Sequence, residues 1–133
     1  MKTIFLNLIL VLTLAVSGCT QSQNSATDNY QNVDARQAKE LIAKDKEMVI
    51  LDVRTPEEFA SGHVAGAVNM NYYDSDFAQQ LEKLDTTNTY LIYCASGNRS
   101  GKTATLLQDK GFKKIINSDA GFNELKKAGI PAK

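Results

Sequence analysis

The sequence lacks any excess of charge of one sign. Lys and Arg together number 15, Asp and Glu together also number 15, and the formal net charge is zero. The chain has no basic stripe and no block of like charge, so nothing in it attracts nucleic acid electrostatically. With 133 residues, two prolines and 43% hydrophobic residues, it has the composition of an ordinary globular protein and the length of one domain.

Metal-ligating and disulfide-forming residues are also scarce. The chain has one histidine and two cysteines, Cys19 and Cys94. These cannot supply a tetrahedral metal set, so we expect no metal and no other cofactor. A disulfide oxidoreductase normally has a second cysteine close to the first, as in Cys-x-x-Cys, and this chain has no such pair.

The longest apolar run lies at the N-terminus, over residues 4–16, and follows the positive charge of Lys2. It has the length of a signal-peptide core and is short for a membrane span of about 20 residues. The sequence Val-Ser-Gly-Cys that ends at Cys19 resembles the bacterial lipobox; an ordinary secretory signal that contains a cysteine is the alternative. The resemblance implies that acyl chains on Cys19 anchor the protein to a membrane and exclude this residue from a disulfide.

A polar stretch over residues 20–29 follows and predicts a flexible tether. The sequence therefore predicts a signal peptide over residues 1–18, a lipidated cysteine and tether over 19–29, and a folded domain over 30–133. Because the residue after Cys19 is not Asp, the lipobox resemblance implies a location in the bacterial cell envelope, on the periplasmic side of the outer membrane.

From Tyr30 onward, short apolar runs alternate with helical patterns. Asp34 is expected to cap a helix that ends at Ala43, and the apolar run 48–53 predicts a strand buried in a parallel sheet. Thr55-Pro56-Glu57-Glu58 is a helix start with a capping box. Further strands are predicted at 67–70, 89–93 and 115–116, and further helices at 76–84, 100–110 and 122–127. This order favours an α/β domain with a mostly parallel central sheet flanked by helices.

Cys94 stands at the carboxyl end of the predicted strand 89–93, the edge at which open α/β sheets bind ligands. A turn and a helix follow, so backbone N–H groups over residues 95–100 converge there, and Gly97 allows the backbone to turn inward. Arg99 adds a positive charge. Together these features predict a lowered thiol pKa and a nucleophilic thiolate. A lone cysteine that ends an apolar strand is otherwise a small buried hydrophobic residue.

Three segments resemble the rhodanese family. Cys94-Ala95-Ser96-Gly97-Asn98-Arg99-Ser100 resembles the active-site loop of that family, residues 52–69 resemble a longer and more specific motif, and the C-terminal part ends in Gly129-Ile130-Pro131 as many members do. The resemblance covers about residues 30–133. The chain departs from the family at the packing positions Ser118, Ala120 and Leu125.

This resemblance implies a single rhodanese-like domain that moves sulfane sulfur from a small-molecule donor such as thiosulfate to cyanide or a thiol. Cys94 would carry the sulfur as a persulfide, and Ala95, Ser96, Gly97, Asn98, Arg99 and Ser100 would bind the substrate. We expect a monomer, held at the membrane through Cys19, with no nucleic-acid partner. A tethered non-enzymatic binding module is the main alternative, although such domains usually lack the cysteine. Phosphatases and arsenate reductases need a longer loop than the four residues between Cys94 and Arg99.

Four further residues in the 52–69 motif are candidate functional residues because they are charged or titratable. We expect Asp52, Arg54 and Glu58 to support the loops through an ion-pair network rather than to take part in catalysis. His63 is expected to hydrogen-bond backbone carbonyls of its own loop. Tyr72, Tyr73 and Phe77 are expected either to shape the mouth of the site or a partner surface, or to belong to the core.

Overall fold

The computed structural model describes residues 29–133. The strands are β1 (Tyr30–Val33), β2 (Val49–Asp52), β3 (Val68–Asn69), β4 (Thr89–Tyr93) and β5 (Lys114–Ser118). The helices are α1 (Ala35–Lys44), α2 (Pro56–Ala60), α3 (Phe77–Glu82), α4 (Asn98–Asp109) and α5 (Phe122–Lys127). The signal peptide, the lipidation of Cys19 and most of the tether lie outside these residues and stay predictions. Within them, no helix is long and apolar enough to span a membrane.

The five strands form one sheet in the order β1-β5-β4-β2-β3, and every neighbouring pair is parallel. The prediction of an α/β fold is confirmed, and the sheet is parallel throughout rather than mostly so. Strand β4 lies in the middle of the sheet. It is buried on both faces, with Leu91, Ile92 and Tyr93 fully inaccessible to solvent, which explains its unbroken apolar sequence.

Helices cover both faces of the sheet, and the sheet separates the core into two clusters. One cluster contains Ile92 of β4 with apolar residues of α3 and α4, among them Leu81 and Leu107. The other contains Leu91 and Tyr93 with residues of α1 and α5. The three departures from the family pattern, Ser118, Ala120 and Leu125, are all buried, as expected of packing positions.

Local signals explain most of the element boundaries. Asp34 and Gln37 form a capping box at α1, and Thr55 and Glu58 form the predicted one at α2. Helix α4 begins at Asn98, two residues before the predicted start at Ser100, because Gly97 completes the turn and the helix follows at once.

Strand β1 was not predicted. Its two central residues, Gln31 and Asn32, are exposed and polar, so this edge strand has no apolar run. Its parallel pairing with β5 begins at Tyr30. The chain therefore enters the sheet at the amino edge, whereas Cys94 lies at the carboxyl edge, where β4 ends.

Candidate active site

Cys94 directly follows β4 and is fully buried. Its carbonyl oxygen accepts a hydrogen bond of 3.0 Å from the N–H of Phe122 at the start of α5. This bond fixes the end of the central strand against the segment that follows β5. The position of the sulfur is thus set by two neighbouring strands of the sheet.

The loop after Cys94 curls around its sulfur. The N–H of Gly97 donates to Sγ over 3.1 Å, and the Ser100 hydroxyl lies 3.5 Å from the same atom. Gly97 has a φ of 85° and would place a Cβ 2.8 Å from the carbonyl oxygen of Asp119. A residue with a side chain would therefore strain the backbone and collide with the neighbouring loop, so the turn requires glycine here.

These contacts change the acidity of the thiol. Burial by itself raises the pKa of Cys94, but hydrogen bonds from the side chain and backbone of Ser100 and from the N–H groups of Ser96 and Gly97 outweigh it, and the net pKa is lowered. Hydrogen bonds to the charged form favour that form. The structure therefore favours the thiolate, which is the nucleophilic form of cysteine.

The six residues predicted to bind substrate play different parts in this geometry. Ser96, Gly97 and Ser100 contact the sulfur, as described above. Ala95 and Asn98 are exposed on the loop, and a contact of either with substrate stays a prediction. Arg99 was expected to hold the charge on the sulfur, but its guanidinium is bound to a carboxylate.

That carboxylate belongs to Glu58 of α2. The two terminal nitrogens of Arg99 lie 2.8 and 2.9 Å from the two Glu58 oxygens, in a bidentate pair. Hydrogen bonding to Arg99 lowers the pKa of Glu58 to about 2. The pKa of Arg99 is raised, first by Glu58 and further by the nearby charge of Cys94. Glu58 therefore belongs to the surroundings of the reacting sulfur.

The predicted ion pair of Asp52 with Arg54 is confirmed, whereas the inclusion of Glu58 in the same network is wrong, because Glu58 pairs with Arg99. The Arg54 guanidinium donates three hydrogen bonds to the Asp52 carboxylate and a fourth, of 2.7 Å, to the carbonyl oxygen of Gly62. Both Asp52 and Arg54 are buried, and the guanidinium lies over the Phe122 ring at 4.4 Å. The pair joins the loops after β2, α2 and β5 and supports the site from behind.

Tyr93 completes this buried group, although no sequence pattern indicates this role. Its hydroxyl donates to Asp52 over 2.6 Å and accepts from the N–H of Val64 over 3.0 Å. Burial raises the pKa of Tyr93, so the hydroxyl stays protonated and keeps its donor role. A tyrosine in an apolar strand is indistinguishable by sequence from an ordinary core residue.

The remaining candidates lie at the periphery. His63 contacts the carbonyl oxygen of Phe59 through Nδ1 at 3.0 Å and stacks on the Phe59 ring. The predicted contact with a backbone carbonyl is therefore present, but the carbonyl belongs to α2 rather than to the loop that holds His63. Phe77 is buried in the core, whereas Tyr73 is 67% exposed and lies with its ring 5.5 Å from the Arg99 guanidinium. Of these aromatic residues, Tyr73 is the one that borders the site.

Gly121 forms the opposite side of the loop and had no predicted role. A Cβ at this position would lie 1.7 Å from the carbonyl oxygen of Ala95. The segment after β5 therefore packs its backbone directly against the loop that holds the sulfur. The Gly-Phe pair that follows a strand at the ligand-binding edge is the sequence signal that could have indicated this contact.

Replacing Ser100 by alanine is expected to raise the pKa of the Cys94 thiol, because it removes one hydrogen bond to the thiolate. A hydrogen bond of about 1 kcal/mol corresponds to about fivefold slower alkylation by iodoacetamide at neutral pH. The whole pH profile of alkylation should move to higher pH. Stopped-flow or quenched alkylation between acidic and alkaline pH measures this shift.

Ser96→Ala is the matched control, since Ser96 is exposed and its backbone N–H, which the substitution keeps, is the group that acts on the sulfur. Its alkylation profile should match the wild type. Equal profiles for Ser100→Ala and wild type would show that the backbone amides alone lower the pKa of the thiol.

Comparison with known proteins gives a consistent result. The family model for the rhodanese-like domain matches residues 34–128. The thiosulfate sulfurtransferase GlpE of Pseudomonas putida is 35% identical over 104 residues, which cover 77% of this chain and 90% of that protein. The thiosulfate:glutathione sulfurtransferase of Saccharomyces cerevisiae is 28% identical, with 70% of this chain and 76% of that protein covered.

A solved structure of a rhodanese-related protein has the same fold as this chain. The rhodanese-related protein of Thermoplasma volcanium superposes with a TM-score of 0.68 at 28% identity. The alignment covers 78% of this chain and 98% of that one.

Proposed function

The chain belongs to the rhodanese-like family and is a rhodanese-type sulfurtransferase; from this premise we propose that it moves sulfane sulfur through a persulfide on Cys94. The donor is a sulfane compound such as thiosulfate, and the acceptor is cyanide or a thiol. The observation that carries the proposal is the buried sulfur of Cys94, which lies among hydrogen-bond donors that lower its pKa.

In the first step the Cys94 thiolate attacks the outer sulfur of thiosulfate. A bond forms between Sγ and that sulfur while the sulfur–sulfur bond of thiosulfate breaks, and its electron pair leaves with sulfite. The product is a Cys94 persulfide anion. The N–H of Gly97, which already donates to Sγ, and the Ser100 hydroxyl, whose oxygen lies 3.5 Å from Sγ, stabilise this charge because they are in place before the reaction begins.

In the second step a nucleophile removes the outer sulfur. Cyanide forms a bond to it and leaves as thiocyanate, while the electron pair of the persulfide bond returns to Cys94 as the thiolate. A thiolate acceptor instead leaves as a persulfide. The printed name of the yeast relative contains glutathione, which supports a low-molecular-weight thiol as the acceptor class. No proton transfer by a protein side chain is needed, since the nucleophile is already ionised.

Phosphate chemistry fits the site poorly. The loop has four residues between Cys94 and Arg99, and the Arg99 fork that would hold a tetrahedral oxyanion is bound to Glu58 instead. A short loop that curls around one sulfur atom suits a sulfane sulfur better than a phosphoryl group. The other alternative, a binding module without activity, is separated from the proposal by experiment.

The test is the intact mass of the reduced protein after incubation with thiosulfate. We expect a gain of one sulfur atom, located at Cys94 rather than Cys19 by peptide mapping, and its complete loss after addition of cyanide. Protein alkylated beforehand with iodoacetamide is the control and should gain nothing. If neither thiosulfate nor an organic persulfide adds sulfur to Cys94, the proposal fails and the domain is a binding module.

A further inference from the structure

Each of the three arginines in the chain is paired with a carboxylate: Arg36 with Glu40, Arg54 with Asp52, and Arg99 with Glu58. The first pair is on the exposed surface of α1 and the second is buried behind the site. The third lies close enough to Cys94 for the charge of that residue to raise the pKa of Arg99. A positive charge that is expected to attract an anionic donor is therefore already neutralised by a side chain of the protein.

The charge near the sulfur is consequently negative. Glu58 stays ionised because hydrogen bonding to Arg99 lowers its pKa to about 2, and Arg99 cancels only one negative charge. The thiolate of Cys94 remains, which leaves a net charge of −1 for these three groups. Thiosulfate carries two negative charges, so its approach is opposed by Coulomb repulsion of a magnitude that matters at contact distances.

Arg99 is also held in place. Its side chain is 14% exposed, both terminal nitrogens are engaged by Glu58, and the Tyr73 ring lies 5.5 Å from its guanidinium carbon. A donor that recruits Arg99 must first separate a bidentate pair, which costs free energy. A donor that does not need Arg99 avoids that cost.

From these contacts we propose that Glu58 is a specificity-determining residue and that the site prefers sulfane donors of low charge, such as an organic hydropersulfide, over thiosulfate. The step on such a donor balances without any further reactant. The Cys94 thiolate attacks the outer sulfur of RS–SH, the sulfur–sulfur bond of the donor breaks, and RS⁻ leaves while Cys94–S–SH forms. This preference rests on the proposed function and defines its donor more closely.

The experiment compares thiosulfate, which carries two negative charges, with an alkyl hydropersulfide generated in situ, which carries at most one, using the full-length wild type, Glu58→Gln and the control Glu57→Gln. Glutamine at 58 keeps a side-chain oxygen for the N–H of Thr55, which Glu58 caps at 2.9 Å, so α2 retains its capping box. Glu57 is exposed on the same helix and its replacement changes the net charge of the protein equally.

We expect the wild type to show the higher kcat/KM with the hydropersulfide. Glu58→Gln should raise kcat/KM for thiosulfate by about tenfold, mainly through a lower KM, because one negative charge next to a dianion is removed. With the hydropersulfide it should stay within about twofold of the wild type, because a donor that carries at most one negative charge is repelled less by Glu58 than a dianion is. Glu57→Gln should match the wild type on both donors.

Salt dependence gives a second readout that a purely structural role would not change. Repulsion between like charges is screened by salt, so the wild-type rate with thiosulfate should rise with ionic strength and the Glu58→Gln rate should not. Equal ratios of the two donors in wild type and Glu58→Gln, with both proteins folded by circular dichroism, would overturn the inference. If neither thiosulfate nor the hydropersulfide forms a persulfide on Cys94, the proposed function itself is overturned instead.

Discussion

Replacing Cys94 by serine is expected to lower sulfurtransferase activity by a factor of about 10⁴ or more, as loss of a covalent nucleophile does in other enzymes. The hydroxyl of serine is close in size to the thiol and can accept the hydrogen bond that Gly97 donates to Sγ. It is not ionised at neutral pH, however, and it cannot carry a sulfane sulfur. The measurement is thiocyanate formation from thiosulfate and cyanide.

The fold of this variant should be intact, because serine is nearly isosteric with a residue that is fully buried. Circular dichroism and thermal unfolding check this. Cys19→Ser is the matched control, since the same atom is exchanged at a position outside the proposed site, and it should keep full activity in solution. Persistent thiocyanate formation by Cys94→Ser would contradict the role assigned to Cys94.

Gly121→Ala is expected to have the second largest effect. The new Cβ would lie 1.7 Å from the carbonyl oxygen of Ala95, and backbone stands on both sides of this contact, so the loop around the sulfur must move. Overpacking of this kind costs about 3 kcal/mol of unfolding free energy. A displacement of about 1 Å at a reacting centre costs about 10²-fold in rate. Urea unfolding and thiocyanate formation measure the two effects.

The conformation of Gly121 itself is not the cause, because its φ of −77° is open to any residue. Gly101→Ala is the matched control. It adds the same methyl group inside α4, where the nearest atom would be 3.7 Å away and where alanine favours the helix by about 1 kcal/mol over glycine. Wild-type stability and activity in Gly121→Ala would show that the loop and the segment after β5 are not in firm contact.

The sequence predicted those elements whose signals are local. The capping box of Thr55 and Glu58 lies within four consecutive residues, and the apolar run of β4 reflects burial on both faces. Strand β1 escaped prediction because its pairing with β5 involves residues more than 80 positions apart along the chain. Its own polar sequence does not show this pairing.

The candidate site likewise combines contacts between neighbouring residues, which the sequence predicts, with contacts between distant residues, which it does not. Cys94, Gly97 and Ser100 lie within seven residues, and their approach follows from one turn at the end of one strand. The partner of Arg99 is 41 positions away in α2. The tertiary fold, which brings Glu58 of α2 to Arg99 in the first turn of α4, decides that Glu58 meets Arg99 rather than Arg54. The contact between Gly121 and Ala95 likewise depends on the order of the strands, which no local pattern contains.

Strand β1 begins at the amino edge of the sheet, opposite the edge at which Cys94 lies. Tyr30 is level with Tyr90 of β4 through their common partner Ile115, and Cys94 lies four residues farther along that strand. At a rise of about 3.3 Å per residue, the sulfur is about 13 Å from the level of entry. A tether that precedes Tyr30, as the sequence predicts, would therefore join the domain at the edge of the sheet opposite the sulfur.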